Sequence, residues 1–308
     1  MRILYMGTPD FAIAPLQALL QANYEVVGVV TAPDRRAGRG MKLRPSPVKQ
    51  YAQAHGLKVL QPIKLKDPEF LKELEALKPD LAVVVAFRML PRAVWSLPTH
   101  GTFNLHASLL PDYRGAAPIN WAVINGETQS GVTTFFIDQQ IDTGNILLQQ
   151  KVDIFPHWTA GDLHDTLMVV GADLVVKTVE GLEKGELVAQ PQDDNLALHP
   201  APKIFKDDCR IDWQQPAQKI HDFIRGLSPY PTAWSSLNGQ ILKVFRAQQV
   251  EMPETPSPAR LLQDEEGRLL VSGTDGWLEI TELQLAGKKR MSSQAFVSGY
   301  KEKLERLE

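Results

Sequence analysis

One cysteine, Cys209, is all that 308 residues contain, so no intrachain disulfide can form and the composition fits a reducing compartment. Metal-ligand spacings are missing as well: the seven histidines are scattered, with neither H-E-x-x-H nor C-x-x-C, and no metal is expected. No apolar run approaches the roughly 20 residues of a membrane span. The opening MRILYMGTPDF enters a strand and turn, without the charged flank, apolar core and cleavage site of a signal peptide. The expectation is a cytoplasmic protein with no membrane partner. A net charge of −3 excludes a uniformly basic nucleic-acid coat and leaves only local basic patches to consider. Gly7 ends a strand, but GTPDF lacks the G-x-G-x-x-G spacing a dinucleotide needs, and Gly38–Leu43 lacks the G-x-x-x-x-G-K-[ST] of a phosphate loop. Ser108 has no G-x-S-x-G around it to make it a nucleophile.

The length exceeds the usual single-domain size, which predicts two domains. The first part alternates apolar strands with amphipathic helices. Strands are predicted at Ile3–Met6, Val26–Val30 and Leu81–Phe87. Helices are predicted through Phe11–Leu20, Val48–Ala54 and Phe70–Leu77, with Thr8 and Pro9 as the cap and first turn of the first. That alternation implies an α/β fold with a mostly parallel sheet covered on both faces. A long helix fits Ala160–Lys184, capped by Thr159 and ended near Gly185. Proline and polar residues then break any pattern, placing a linker at 188–206. Beyond it come a helix at Ala217–Arg225, stopped by Gly226, and strands at Ala233–Leu237, Ile241–Ala247, Leu269–Ser272 and Leu278–Gln284. Turn signals at Asn238-Gly239 and Asp275-Gly276 complete the pattern of a compact β-barrel. The expected division is 1–187, the linker 188–206, and 207–308.

The run FNLHASLLPDYRGAAPI, Phe103 to Ile119, carries the chemistry. Alternation along a strand puts Asn104 and His106 on one face and Phe103 and Leu105 on the other. Asp142, in the turn of GVTTFFIDQQIDTGNIL, is the better placed carboxylate for His106, with Asp138 as its rival. A carboxylate can orient an imidazole and favour its charged form, and an asparagine amide can donate to the same developing negative oxygen. Spacing alone is equally consistent with a structural Asn, a satisfied His and a turn Asp. A second signal is PDRRAGRGMKLRPSPVK, Pro33 to Lys49, where six basic residues face the single acid Asp34. It can attract a phosphate backbone; it is also what a solvated surface loop looks like.

On these segments, together with GTPDFA at Gly7, RIDW at Arg210 and LQLAGKKRMS at Leu283, the chain resembles the methionyl-tRNA formyltransferase family nearly end to end. The resemblance implies a Rossmann-like formyltransferase domain and a C-terminal OB-like β-barrel domain. It implies transfer of a formyl group from 10-formyltetrahydrofolate, with no metal, to the α-amine of initiator methionyl-tRNA. Asn104, His106 and Asp142 would be catalytic. Ser108, Leu109, Leu110 and Pro111, with Phe87, Arg88, Met89 and Leu90, would line the folate pocket. Arg35, Arg36, Arg39, Lys42 and Arg44 would meet the tRNA, with Arg39 at the unpaired end of the acceptor stem. From Lys206 onward 14 basic residues are offset by 15 acidic ones, so any contact there is expected from a patch, Lys288, Lys289 and Arg290. A monomer is expected. The chain departs from the family pattern at Phe87-Arg88, where relatives carry Tyr-Gly. It departs again at Asp112-Tyr113 before Arg114, where Arg-Trp-Arg is usual, so a contact from that first basic position does not carry over. The donor motif is shared with formyltransferases acting on small amines such as glycinamide ribonucleotide or a nucleotide-linked amino sugar, which remain the alternative.

Overall fold

The computed structural model describes residues 1–37, 42–252 and 257–308, with the side chains of Arg36, Ala37 and Lys42 left out. Arg39 lies outside the described residues. The chain forms two compact units, one comprising Met1–Gly115, Gln129–Asp153 and His164–Pro200, the other Ala116–Thr128, Ile154–Leu163 and Ala201–Glu308.

The first unit is built on β1 (Arg2–Gly7), α1 (Ile13–Gln21), β2 (Glu25–Val30), β3 (Arg35–Ala37), β4 (Lys42–Arg44), α2 (Pro47–Ala54), β5 (Val59–Leu60), α3 (Pro68–Ala76), β6 (Leu81–Val85), α4 (Arg92–Trp95) and β7 (Thr102–His106). After α5 (Pro118–Ile124), which belongs to the other unit, come β8 (Gln129–Phe136) and β9 (Ile146–Asp153), then α6 (Ala160–Glu183), which counts with this unit from His164 onward. The seven-stranded sheet runs β5-β2-β1-β6-β7-β8-β9. Its first five strands are parallel, and β8 and β9 are added antiparallel. The expected mostly parallel α/β sheet is therefore present. Residues Leu81 to Val85 are all buried, as a strand covered on both faces requires.

Gly7 makes the tight turn the sequence suggested: a Cβ there would sit 2.6 Å from Ala12 Cβ. Thr8 does not cap the helix that follows. The chain first makes a 3-10 turn at Asp10–Ala12, closed by Ala12 N donating to the Pro9 carbonyl and tied to the sheet by Tyr5 Oη donating to Ala12 O, 2.6 Å. The α-helix starts only at Ile13. Helix α6 begins as expected, with a reciprocal box: Thr159 Oγ1 accepts from Asp162 N, and Asp162 Oδ2 accepts from Thr159 N. Gly185, at φ +69°, follows its end.

In the second unit, α7 (Ala217–Gly226) precedes β10 (Ala233–Leu237), β11 (Gln240–Val250), β12 (Leu261–Gln263), β13 (Leu269–Ser272), β14 (Trp277–Leu285), β15 (Met291–Ser292) and α8 (Ser293–Gly299). The antiparallel sheet runs β10-β11-β14-β13-β12, with β15 on β14. Residues 305–308 bond to both of its outer strands. Leu261 N donates to Glu305 O and Leu307 N to Ala259 O on one side, while Ser236 and Glu308 exchange both backbone bonds on the other. That strap joins the sheet's two edges into the expected barrel and leaves neither unpaired. Asn238 and Gly239 both have positive φ, the geometry of a type I′ hairpin. Asp275 Oδ1 accepts from Ala217 N at the start of α7. Gly226 is the last residue of that helix rather than its stop. A Cβ on it would meet Ile124 N at 2.7 Å, so glycine is required there for the close approach of α5 to α7.

Candidate active site

Strand β7 divides its side chains as alternation demands. Leu105 meets α6, where a Cβ on Gly171 would lie 2.8 Å from Leu105 Cδ2, while Asn104 and His106 take the opposite face. His106 is 6% exposed and Asn104 half-buried. Asn104 pairs in register with Val84 on one side and Phe135 on the other, and His106 with Thr133. Both are thereby fixed in the middle of the sheet. The Asn104 side-chain amide makes no hydrogen bond among the described residues.

His106 Nε2 lies 2.9 Å from the Tyr113 carbonyl. A carbonyl only accepts, so Nε2 carries the proton and Nδ1 is the nitrogen left for chemistry. Asp142 Oδ2 is 3.8 Å from that Nδ1, within ion-pair distance and too far for a direct hydrogen bond. The same Oδ2 accepts from Gly115 N at 3.0 Å. Asp142 sits at φ +57°, in a turn made possible by Gly144, whose Cβ would fall 1.7 Å from the Phe136 carbonyl oxygen. Asp138, the rival carboxylate, is exposed and occupied by Gln140 N and Thr143 Oγ1. The structure thus sets Asp142, rather than Asp138, against His106 Nδ1, with Asn104 two residues earlier on the same strand.

The loop after β7 is held by Thr133. Its hydroxyl donates to Ser108 O, 2.6 Å, and accepts from Leu110 N, 3.1 Å, while Gln149 Nε2 donates to Leu110 O, 2.8 Å. Ser108 is fully buried, its hydroxyl donating to the Asp112 carbonyl. Leu110 and Pro111 are buried and Leu109 half-buried. On the neighbouring loop, Ala86 at φ +46° ends β6 two residues before the predicted end at Phe87. Leu90 is buried in the core with Leu4, Met6 and Val84, Phe87 packs against that core, and Met89 is 71% exposed. Arg88 spans the carbonyls of Pro62 and Ile63. Partial burial and the nearby Arg35 cation lower its pKa from the usual arginine value.

Residues that motif reasoning missed complete the surround. Tyr113, at φ +58°, offers its carbonyl to His106. Gln192 Nε2 donates to the carbonyls of Asp142, 2.9 Å, and Gly144, 2.8 Å, and Gln192 Oε1 accepts from Arg114 Nη2, 2.6 Å. Asp112 takes His199 N and Nδ1 on its two oxygens. The stretch read as a linker therefore lies partly along the site loop.

The basic segment is a two-stranded hairpin, β3 against β4, with Arg35 opposite Arg44. Its one acid, Asp34, is taken up by Gln61 and Lys49, which hold its carboxyl below the usual range. Arg35 and Arg44 are exposed. Lys288, Lys289 and Arg290 follow the Gly287 turn and are exposed, with Arg290 paired to Glu282 and lying over Phe245. No helix among the described residues is long and apolar enough to cross a membrane.

Buried His106, with half-buried Asn104 two residues before it and a carboxylate from a turn facing its ring, forms the candidate site, and comparison with known proteins gives the family. The family model described as formyl transferase matches residues 1–179, and that of the formyl transferase C-terminal domain matches 203–301. A methionyl-tRNA formyltransferase from Bacteroides fragilis is 50% identical over 97% of this chain and 95% of its own length. One from Parabacteroides distasonis is 53% identical over 98% and 96%. Among solved structures, an N-formyltransferase from Helicobacter canadensis in complex with folinic acid and dTDP-3-aminofucose shares the fold, at TM-score 0.68 and 23% identity, covering 93% of this chain and 99% of that one. The chain belongs to the formyl transferase family.

Proposed function

We propose that this chain transfers the formyl group of 10-formyltetrahydrofolate to the α-amine of methionine on initiator tRNA. The observation that carries the chemistry is the uncommitted amide of Asn104 two residues along the strand from His106, whose Nδ1 lies 3.8 Å from Asp142 Oδ2. Attack by the amine forms a C–N bond at the formyl carbon and puts negative charge on the formyl oxygen. Asn104 donates to that oxygen where the charge develops, and a protonated His106 Nδ1 supplies a second donor. Asp142 faces the imidazole and assists transfer of the amine proton to N10 of the folate as the old C–N bond breaks. The loops at 87–90 and 108–111 flank the donor. The residues fit a folate donor in one specific respect, since an unpartnered, half-buried amide suits a carbonyl-type oxygen. The division 1–187, 188–206 and 207–308 serves as catalytic part, connection and tRNA-binding part.

The acceptor is argued from identity near 50% to methionyl-tRNA formyltransferases along almost the whole chain, and from the hairpin. Arg35 directly opposite Arg44 is a like-charge pair that costs a few tenths of a kcal/mol to about 1 kcal/mol in isolation; a phosphate backbone relieves it. Arg36, Arg39 and Lys42 extend that basic edge in sequence, and Lys288 and Lys289 offer a second one. The barrel unit alone does not choose the acceptor, because the Helicobacter protein with an amino-sugar ligand has the same fold over 93% of this chain. The test compares formyl transfer to initiator methionyl-tRNA, elongator methionyl-tRNA, glycinamide ribonucleotide and a nucleotide amino sugar. Transfer to the initiator alone is expected, with Arg39→Ala eroding its preference over the elongator. Transfer only to a small amine overturns the reading.

A further inference from the structure

We infer that Gln192, held by Arg114, is a positioning residue for Asp142; the inference rests on the catalytic role just proposed for that carboxylate. Asp142 occupies a left-handed position, φ +57°, within residues 137–145, which contain no helix or strand. Its side chain is fixed at one atom by Gly115 N; within the turn Thr143 Oγ1 donates to Asp138, but no described residue of the turn bonds the Asp142 carbonyl. Gln192 supplies that constraint from fifty residues away. One amide nitrogen donates to the carbonyls on either side of Thr143, those of Asp142 and Gly144, and so uses both of its protons on the turn. The amide oxygen is then free only as an acceptor, and it receives Arg114 Nε at 3.1 Å and Nη2 at 2.6 Å. That pair fixes the amide's orientation, since a flipped amide would present NH₂ to a guanidinium. Arg114 lies next to Gly115, the residue whose N–H holds Asp142 Oδ2. One guanidinium therefore locks both grips on the same aspartate, through the side chain of Gln192 and through its own chain neighbour. A displacement of about 1 Å at a catalytic group can cost on the order of a hundredfold in rate, so the effect belongs in turnover rather than in binding.

The experiment uses Gln192→Met, which keeps length and volume without donors, Gln192→Glu, which keeps an acceptor for Arg114 but presents oxygen to the two carbonyls, Arg114→Met, Arg114→Lys, and the Gln192→Met/Arg114→Met double variant. Activity is followed with the acceptor the wild type uses and, without acceptor, as hydrolysis of 10-formyltetrahydrofolate. A wrong acceptor assignment therefore shows in the wild type and leaves the comparison among variants intact. We expect kcat to fall about tenfold to a hundredfold in both Gln192 variants, with KM for donor and acceptor within about twofold. Arg114→Lys should recover part of what Arg114→Met loses, and the double variant should lose no more than Gln192→Met alone. Unchanged kcat, a loss confined to KM, or fully additive losses would overturn the inference. Thermal melting of each variant separates misfolding from misplacement, and a folded Gln192→Glu with wild-type turnover suffices for refutation.

Discussion

His106 Nδ1 and Asp142 Oδ2 stand 3.8 Å apart, each side chain anchored at a different place: the imidazole through Nε2 to the Tyr113 carbonyl, the carboxylate to Gly115 N. The gap is too long for a direct bond, which leaves room for a proton relay to shorten when substrate arrives. Asp142→Asn keeps an oxygen for Gly115 N and removes the charge. It should lower kcat about a hundredfold to ten-thousandfold, with initiator-tRNA affinity, measured by filter binding, within about twofold. A matched loss of affinity and turnover would remove Asp142 from the chemistry.

Asn104 tests the opposite side of the site. Its amide makes no hydrogen bond among the described residues, so Asn104→Ala breaks none of those and should leave the melting temperature nearly unchanged. Loss of one donor to a developing oxyanion costs roughly a hundredfold to a thousandfold in kcat. A variant that melts early but turns over normally would mark Asn104 as structural.

Gly144 carries the Asp142 turn because a Cβ there would sit 1.7 Å from Phe136 O, a backbone atom that cannot swing away. Gly144→Ala should cost about 1–3 kcal/mol of stability by overpacking and lower turnover as the turn shifts. Urea unfolding and steady-state kinetics on one preparation read both. Wild-type values in each would mean that the turn accommodates a side chain by another path.

The parallel sheet, the long capped helix, the hairpin at Asn238-Gly239 and the alternation of Asn104 with Leu105 were legible because period, caps and turn chemistry are local signals. The choice of Asp142 over Asp138 was legible only as a preference. What separates the two is that Asp138 is spent on Gln140 N and Thr143 Oγ1, a matter of a few residues' folding that no periodicity encodes. Gln192 was illegible for a plainer reason. It lies in a stretch whose composition signals a linker, and its partners are 48 to 78 positions away. Gly226 misled in kind: a glycine near a helix end suggests a C-cap, whereas here the constraint is the backbone of Ile124. The start of the first helix was misplaced because Asp10–Ala12 is held by a hydroxyl from the strand before it, and side chain–backbone bonds of that kind leave no pattern in sequence.

The barrel-containing unit has a pH dependence of its own. Asp222 and Arg225 are 6% and 7% exposed; Asp222 accepts from Arg225 Nε at 2.6 Å and from Gln218 Nε2 at 2.9 Å, and Arg225 Nη1 donates to the Trp158 carbonyl. Burial pushes the Asp222 carboxyl up, but His221, Gln218 and Arg225 together outweigh it and hold its pKa below the usual aspartate value. The unfolded chain therefore takes up its proton first as pH falls. The stabilisation from Asp222 is complete above the unfolded value of about 3.9 and is lost as pH drops through the lower folded one. All tryptophans except Trp95 lie in this unit, so tryptophan fluorescence during urea unfolding of the full chain reports on it. Asp222→Asn should destabilise by about 3–5 kcal/mol at neutral pH, because Arg225 is left buried without its counter-charge. The variant's stability should also fall less steeply than the wild type's below about pH 4. A wild-type acid limb in the variant would show that another carboxylate sets the acid sensitivity.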